Sequence, residues 1–404
     1  MMLQIAWRNV LRNRKRSAII MAAIMFGLWG GLVASGVSFG FSYDTVSSAI
    51  ETRLSHIQIH APTYRDNRSI RDTLRGARKA EAHALRVPGV AAVTARLVVE
   101  GMAASAETST GVSILGVDAA AETTVTTLHQ KLVEGSFDLT GRRNSVVVGR
   151  DLATRLGVRL GSKIVLTTQD MQGTIVGASY RISGMFRTDS KTFDETTVLV
   201  DRGGLDGLVG AGKSLHELAV VVEDPSTLDS VAARIRAGLP GALVETWKEI
   251  APELNWINAY TEVYLEIFLG IIVLALLFGI TNTMLMSVLD RIREFGVLSA
   301  IGMRGRRVFV MILLESLLLS LAGAVLGMVT GWGTVAYLQS VGIDLSAFAD
   351  GMRQWGYSEV SHPVLPGWMY VEVLLAMTVA ALLGAMYPAW KAIRLNPARA
   401  IQTY

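Results

Sequence analysis

The 404-residue chain has no cysteine, which excludes disulfides, thiol catalysis, cysteine-ligated metals and lipidation of this polypeptide at a cysteine. Charge is scarce too: Asp, Glu, Lys and Arg make up 18% of residues, against about a quarter in soluble domains. No HExxH motif, nucleophile elbow or paired carboxylate set stands out, so nothing points to covalent chemistry. Repeats of roughly 20–50 residues and low-complexity tracts are also missing. Apolar residues fill the gap, at 51% of the chain, and mean hydropathy is +0.40.

The shortage of charge is concentrated in four places. Ser17–Tyr43, Ile267–Leu289, Ser316–Ile343 and Val373–Trp390 hold no charged side chain over 27, 23, 28 and 18 residues. A helix needs about 20 apolar residues to cross a bilayer, so four spans are expected. The first follows a basic stretch but is far longer than the apolar region of a signal peptide, and no A-x-A cleavage site follows it.

Basic residues flank these runs unevenly. Arg8, Arg12, Arg14, Lys15 and Arg16 precede the first. Arg291, Arg293, Arg304, Arg306 and Arg307 lie between the second and third, and Lys391, Arg394 and Arg399 follow the fourth. The segment between the third and fourth has only Arg353 against Asp344, Asp350 and Glu359. The positive-inside rule puts both termini and residues 290–307 in the cytoplasm. Nucleic-acid binding is the rival reading of such clusters, but topology explains why each lies at a membrane edge.

Residues 1–16 read as an amphipathic elbow helix, with Ile5, Trp7, Val10 and Leu11 toward the interface and arginines toward lipid headgroups. Residues 17–43 form the first span, and 44–246 an extracytoplasmic α+β domain of two subdomains. Its strands are expected at His56–His60, Arg96–Val99, Val112–Leu115, Ser145–Val148, Lys163–Thr168, Arg181–Met185, Thr196–Val200 and Leu218–Val222. Helices are expected near Asp72–Arg86 and Leu228–Gly238, with a short turn at Asp151–Leu156. Trp247, Ile250, Leu254, Ile257, Tyr260 and Tyr264 recur at helical spacing, which predicts a stalk helix over 247–266, with Pro252 near its true start. The second span then covers 267–289, a coupling segment 290–307, the third span 308–343, a short outer loop 344–367, the fourth span 368–390 and a tail 391–404.

Asp290-Arg-Ile-Arg-Glu-Phe-Gly-Val-Leu-Ser-Ala-Ile-Gly-Met-Arg, then Met311-Ile-Leu-Leu-Glu-Ser, resembles the FtsX-type permease domain. In that family a cytoplasmic coupling helix R-x-x-E-x-x-x-x-x-A-x-G precedes a span that opens with a carboxylate. Arg291, Glu294, Ala300 and Gly302 fit the pattern, and Glu315 supplies the carboxylate. Tyr387-Pro-Ala-Trp-Lys-Ala-Ile-Arg-Leu-Asn-Pro-Ala-Arg-Ala-Ile is similar to the family's closing segment. Within the insert, Ile114-Leu-Gly-Val-Asp, Leu132-Val-Glu-Gly and Val-Val-Val-Gly149-Arg-Asp-Leu-Ala-Thr-Arg-Leu-Gly-Val158 resemble the outer domain of MacB-type and lipoprotein-releasing (LolC/LolE-type) permeases. Trp7-Arg-Asn-Val-Leu-Arg-Asn and Ser55-His-Ile-Gln-Ile-His-Ala-Pro resemble the lipoprotein-releasing branch most.

The resemblance implies a permease subunit of an ABC transporter in a bacterial inner membrane. ATP and Mg²⁺ would sit on a separate ATPase, with no cofactor on this chain. A second permease copy or homologue would complete it, with a lipoprotein cargo, a periplasmic carrier and membrane lipids as further partners, and no nucleic acid. The coupling residues are expected to be Arg291, Arg293, Glu294, Phe295, Gly296, Leu298, Ala300, Ile301 and Gly302. Phe295, Val297, Leu298 and Ile301 would form an apolar wedge. Glu315 is an acidic residue inside a span; it either reaches the interface or pairs with a coupling-helix arginine, and force transmission suits it better than proton relay. Two rival functions stand. One is MacB-like efflux of drugs or peptides, although MacB-type chains carry a fused N-terminal ATPase. The other is an FtsX-like regulator of cell-wall hydrolases, whose outer domain is much smaller.

Two local patterns read otherwise. Gly207-Leu-Val-Gly-Ala-Gly-Lys-Ser matches the Walker A string, but a phosphate loop must follow a strand and open a helix. Thr196–Val200 ends too early for that, and a turn is expected. His56, Gln58 and His60 share a strand face, for which a solvated surface suffices without metal.

Overall fold

The computed structural model describes residues 4, 6, 8, 12, 14–139 and 144–394. Ile5, Trp7, Val10 and Leu11 of the elbow, and the tail from residue 395, lie outside the described residues. Two compact units form, one from 1–43, 258–343 and 360–404, the other from 44–257 and 344–359.

Among the described residues, four long helices carry the first unit: α1 (Arg14–Ala49), α2 (Pro252–Asp290), α4 (Gly305–Val341) and α5 (Gly367–Arg394). A short helix, α3 (Ile292–Ala300), lies between α2 and α4. All four long helices contain a segment long and apolar enough to cross a membrane. At 39 residues α2 extends about 58 Å, nearly twice the hydrocarbon thickness.

Close packing in this unit depends on glycine. Gly323, Gly327 and Gly331 recur every fourth residue on one face of α4. A Cβ at Gly323 would stand 2.9 Å from Ile24 Cβ, and one at Gly327 2.9 Å from the Met25 carbonyl. A small-residue stripe of this kind lets two membrane helices approach where lipid supplies no hydrophobic drive. The Ser316 hydroxyl donates to the Ala381 carbonyl at 3.1 Å, and Trp29 Nε1 donates to Thr334 Oγ1 at 3.0 Å. Both bonds tie neighbouring helices through polar groups for which lipid offers no partner.

The second unit is α+β. Its strands are β1 (Ile57–His60), β2 (Val90–Ala104), β3 (Ser109–Val117), β4 (Leu132–Gly135), β5 (Ser145–Gly149), β6 (Lys163–Gln169), β7 (Ile175–Phe186), β8 (Thr197–Asp201), β9 (Glu217–Val222) and β10 (Leu243–Thr246). They run in the order β10-β1-β9-β2-β3-β8-β5-β7-β4, with β6 against β2 and β7. Pairing is antiparallel except for β3 with β8 and β5 with β7. The 15-residue β2 divides its partners: Val90–Arg96 pairs with β9, and Leu97–Ala104 with β3. One core lies beneath β1, β9 and β10, where Ile57, Ile59, Leu218 and Val231 are buried. Another forms around Ile114, Val146, Leu152, Ile164 and Val198.

Several elements differ from the sequence expectation. The helix expected over Asp72–Arg86 is confined to Ala77–Ala84. Leu74 instead gives its N–H to the Leu215 carbonyl, and Gly76 at φ +69° breaks the helical path. The stalk is interrupted: Trp247–Ile250 is a single turn closed by a Thr246/Glu249 capping box, and the continuous helix starts at Pro252. Its expected stripe also divides, since Trp247 and Leu254 are buried in the α/β core whereas Tyr260 and Tyr264 are exposed. Residues 344–367 are no simple loop, because they hold a two-residue strand pair, a 3₁₀ turn and a helix at Ala349–Gln354. The 290–307 segment is helical only over Ile292–Ala300, and residues from Gly305 onward belong to α4. The strand face of Gln58 and His60 is buried rather than solvated. His60 is held by Gln58 Oε1 at 2.9 Å and the His216 carbonyl at 3.1 Å, and stacks on Tyr64 at 5.0 Å.

Candidate functional site

The chain reverses between α2 and α4 through Arg291, α3 and Gly302. Glycine at 302 accommodates φ +96°, a conformation that side chains rarely adopt. Arg291 folds inward, where its Nη1 reaches both oxygens of Glu315 at 3.2 and 3.1 Å. Its Nε donates to Glu294 Oε2 at 2.9 Å, and its guanidinium lies 5.3 Å from the centroid of the Phe295 ring. Glu294 also accepts a hydrogen bond from Arg12. Burial pushes the Glu294 carboxyl up, but Arg12 and Arg291 outweigh it and hold the group below the usual range. One network thus links the N-terminal segment, α3 and the carboxylate of α4. A buried pair of this kind fixes geometry because a displaced partner would leave a charge stranded in an apolar core.

The expected wedge divides between two faces. Phe295 is 4% exposed and packs in the helical core, Gly296 is buried, and Leu298 is half-buried. Val297 and Ile301 point outward at 50% and 79% exposure, and Arg293 is exposed. Only the backbone of Ala300 is described. The outward face therefore presents two aliphatic side chains beside a guanidinium, while the inward face is bolted to α4. Glu294 belongs to the internal network and is not free for a partner, and Arg12 was not singled out from sequence. No motif signals that pairing, because it joins residues 282 apart in the chain.

A second charged cluster lies in the α/β unit. Arg353, 3% exposed, donates Nη2 to Asp194 at 2.6 Å and to Asp151 at 2.7 Å, and Nε to the Thr188 carbonyl at 2.9 Å. Asp194 is fully buried and also accepts from the Thr188 N–H and hydroxyl at 2.8 and 2.7 Å. Arg187 and Glu359 pair at 2.8 Å nearby. These bonds fasten the 344–359 segment to the domain formed mainly by 44–257. One signal was visible in sequence: a single arginine in an otherwise acidic linker.

The Walker-like string occupies the wrong end of a helix. Arg202–Val209 is helical, Gly210 terminates it at φ +67°, and Gly212 and Lys213 continue with positive φ. The Lys213 N–H donates to the Asp206 carboxylate at 3.1 Å. A helix C-terminus carries partial negative charge and repels phosphate.

Four membrane-crossing helices with an α+β domain inserted after the first define a polytopic membrane protein with one large soluble domain. Residues 17–237 match the MacB-like periplasmic core domain, and residues 266–397 match the FtsX-like permease C-terminal domain. The lipoprotein-releasing system transmembrane protein LolC of Xylella fastidiosa is 24% identical over 413 aligned positions, covering 97% of this chain and 96% of that one. An uncharacterized ABC transporter permease of Bacillus subtilis, YknZ, is 27% identical over 54% of this chain and 47% of its own length. The macrolide export ATP-binding/permease protein MacB of Brucella abortus is 26% identical over 47% of this chain and 28% of its own length. The chain belongs to the FtsX/MacB family of ABC transporter permeases, bacterial inner-membrane proteins that imply an ATPase partner.

Proposed function

We propose that this permease couples ATP hydrolysis on a separate ATPase to movement of its α/β domain, in the service of releasing lipoproteins from the inner membrane. The single observation carrying the cargo is the end-to-end match to LolC, which spans both units, whereas the MacB match covers about a quarter of that protein. In this reading ATP and Mg²⁺ bind the ATPase alone. The outward face of α3, with Arg293 and Val297, and Ile301 in the turn that follows it, docks into the ATPase. The buried Arg291–Glu315 bond passes the push to α4. A second permease copy or homologue covers Ile267, Ile271, Leu274 and Phe278, an exposed stripe on α2. Depleting the protein in cells should leave acylated lipoproteins in the inner membrane. Normal partitioning of lipoproteins after depletion would remove the cargo assignment while leaving the ATP coupling intact.

The reading puts both termini and α3 in the cytoplasm and the α/β domain outside. The absence of native cysteine makes this simple to check, since a single introduced cysteine is the sole thiol. In spheroplasts, Ser214→Cys should react with a membrane-impermeant maleimide, and Ile301→Cys should react only after lysis. The opposite pattern would invert the topology.

A further inference from the structure

A cavity of about 280 Å³ opens within the α/β unit where β2 passes from pairing with β9 to pairing with β3. Its floor is one face of the strand run, and register makes that face two-ended. Across β1, β9 and β2, His60 stands opposite Glu217, and Glu217 opposite Arg96. Further along the sheet Val98 stands opposite Leu115, and Leu115 opposite Leu199. One end of the floor is therefore charged and the other aliphatic, with Leu128 and Phe193 lining the wall as well.

The charged end has spent most of its groups internally. Arg96 is buried, gives Nε and Nη2 to Glu122 at 3.1 and 2.6 Å, and Nη1 to Glu217 at 2.6 Å. Burial alone would lower its pKa, and the two carboxylates reverse that, so it is fixed as a cation. Arg65 pairs with Glu245. Arg53 also lines the cavity, where burial lowers its pKa and the nearby Glu253 opposes that. Tyr64 stacks with the rings of His60 and His216, at 5.0 and 5.5 Å. Burial and then the nearby Glu217 push its hydroxyl's pKa well up, so it remains a proton donor. A guanidinium and a neutral hydroxyl thus border the charged end.

We propose that this cavity binds a small amphiphile, with an anionic head (carboxylate or phosphate) received by Arg53 and Tyr64 and a short apolar chain lying over Val98 and Leu115. Its volume falls just below the range of ligand pockets, roughly 300 to 1,000 Å³, so the chain entering it is short. The inference rests on the cavity alone and holds whichever cargo the transporter carries.

Octyl phosphate, inorganic phosphate and octyltrimethylammonium serve as probes in calorimetric titration of the full chain in lipid nanodiscs, with empty nanodiscs subtracted. Octyl phosphate should bind saturably with one site per chain, and the other two should bind at least tenfold more weakly. Arg53→Gln should weaken octyl phosphate at least tenfold by removing the donor. Val98→Phe should do the same by filling the apolar end, and both variants should keep the parent's cooperative thermal transition. Equal binding of octyltrimethylammonium would refute the anionic head, and equal binding of inorganic phosphate would refute the apolar chain. Octyl phosphate affinity within twofold of the parent in both variants would place the ligand elsewhere and overturn the proposal.

Discussion

Replacing Arg353 with methionine should unfasten the 344–359 segment from its domain. The substitution removes a guanidinium that is 3% exposed and leaves Asp194, fully buried, without its cation. Above pH 7, where Asp194 is ionised, losing one partner of a buried pair costs about 3–5 kcal/mol, because the remaining charge has neither water nor counter-charge. Methionine fills much of the same volume, so the deficit reports charge rather than a cavity. Opening of the segment should then be about 10²–10⁴-fold more frequent, which limited proteolysis reads directly when reclosing is fast. Chymotrypsin acting on the intact protein should cut after Trp355, 77% exposed, or the neighbouring Tyr357 at a correspondingly higher rate. The effect should depend on pH. Burial pushes the Asp194 carboxyl up to about 7 from its ordinary 3.8, against the pull of the Thr188 donors and Arg353. A carboxyl raised on folding binds protons preferentially in the native state, so its contribution falls as pH rises through that window. Without Arg353 it rises further. The variant's deficit should therefore be smaller at pH 5, where Asp194 is protonated in both proteins, and widen above pH 7. Adding Asp194→Asn should recover most of the loss, since an amide oxygen can still accept from Thr188. Cleavage of Arg353→Met at the parent rate would show that the buried cluster does not hold the segment.

What could be read from the sequence follows from how local each signal is. The four membrane helices appear as runs without charge, and the coupling motif is a contiguous string, so both were visible. The strands rich in Val and Ile, such as Ser145–Gly149 and Thr197–Asp201, were also plain. Leu132–Gly135 and Leu243–Thr246 were not read as strands because each is four residues long, contains a glutamate and owes its strand state to a partner distant in sequence. The charged clusters were hidden for the same reason. Arg353 meets residues 159 and 202 positions away, and Arg96 meets Glu217 across 121. Periodicity also misjudged the wedge on α3. An apolar count over 295–301 cannot tell the face packed on the bundle from the one turned outward, and Glu294 sits in the network that divides them.

That division determines how the coupling helix must be tested, and Ile301→Asp should abolish recruitment of the ATPase without disturbing the permease. A charge reversal at Glu294 would confound two effects, since it breaks bonds to Arg12 and Arg291 inside the chain. Ile301 has no such entanglement: at 79% exposure its replacement should alter folding stability by no more than about 0.5 kcal/mol. If a groove on the ATPase buries that side chain, its loss removes about 1.5–3 kcal/mol of apolar burial. Desolvating the new carboxylate adds to this, so affinity should fall at least about a hundredfold. Arg291→Ala makes the complementary lesion. It leaves Glu315, 5% exposed, without the guanidinium that meets both its oxygens. The outward face of α3 keeps its side chains, so the ATPase should still bind, but stimulated hydrolysis and transport should collapse because the push no longer reaches α4. Co-purification of the ATPase measures the first property, and ATP turnover in reconstituted complexes the second. Loss of recruitment in Ile301→Asp with retention in Arg291→Ala separates docking from transmission. If Ile301→Asp recruits the ATPase normally, lipid rather than protein covers that face, and α3 is an interfacial helix with no part in docking.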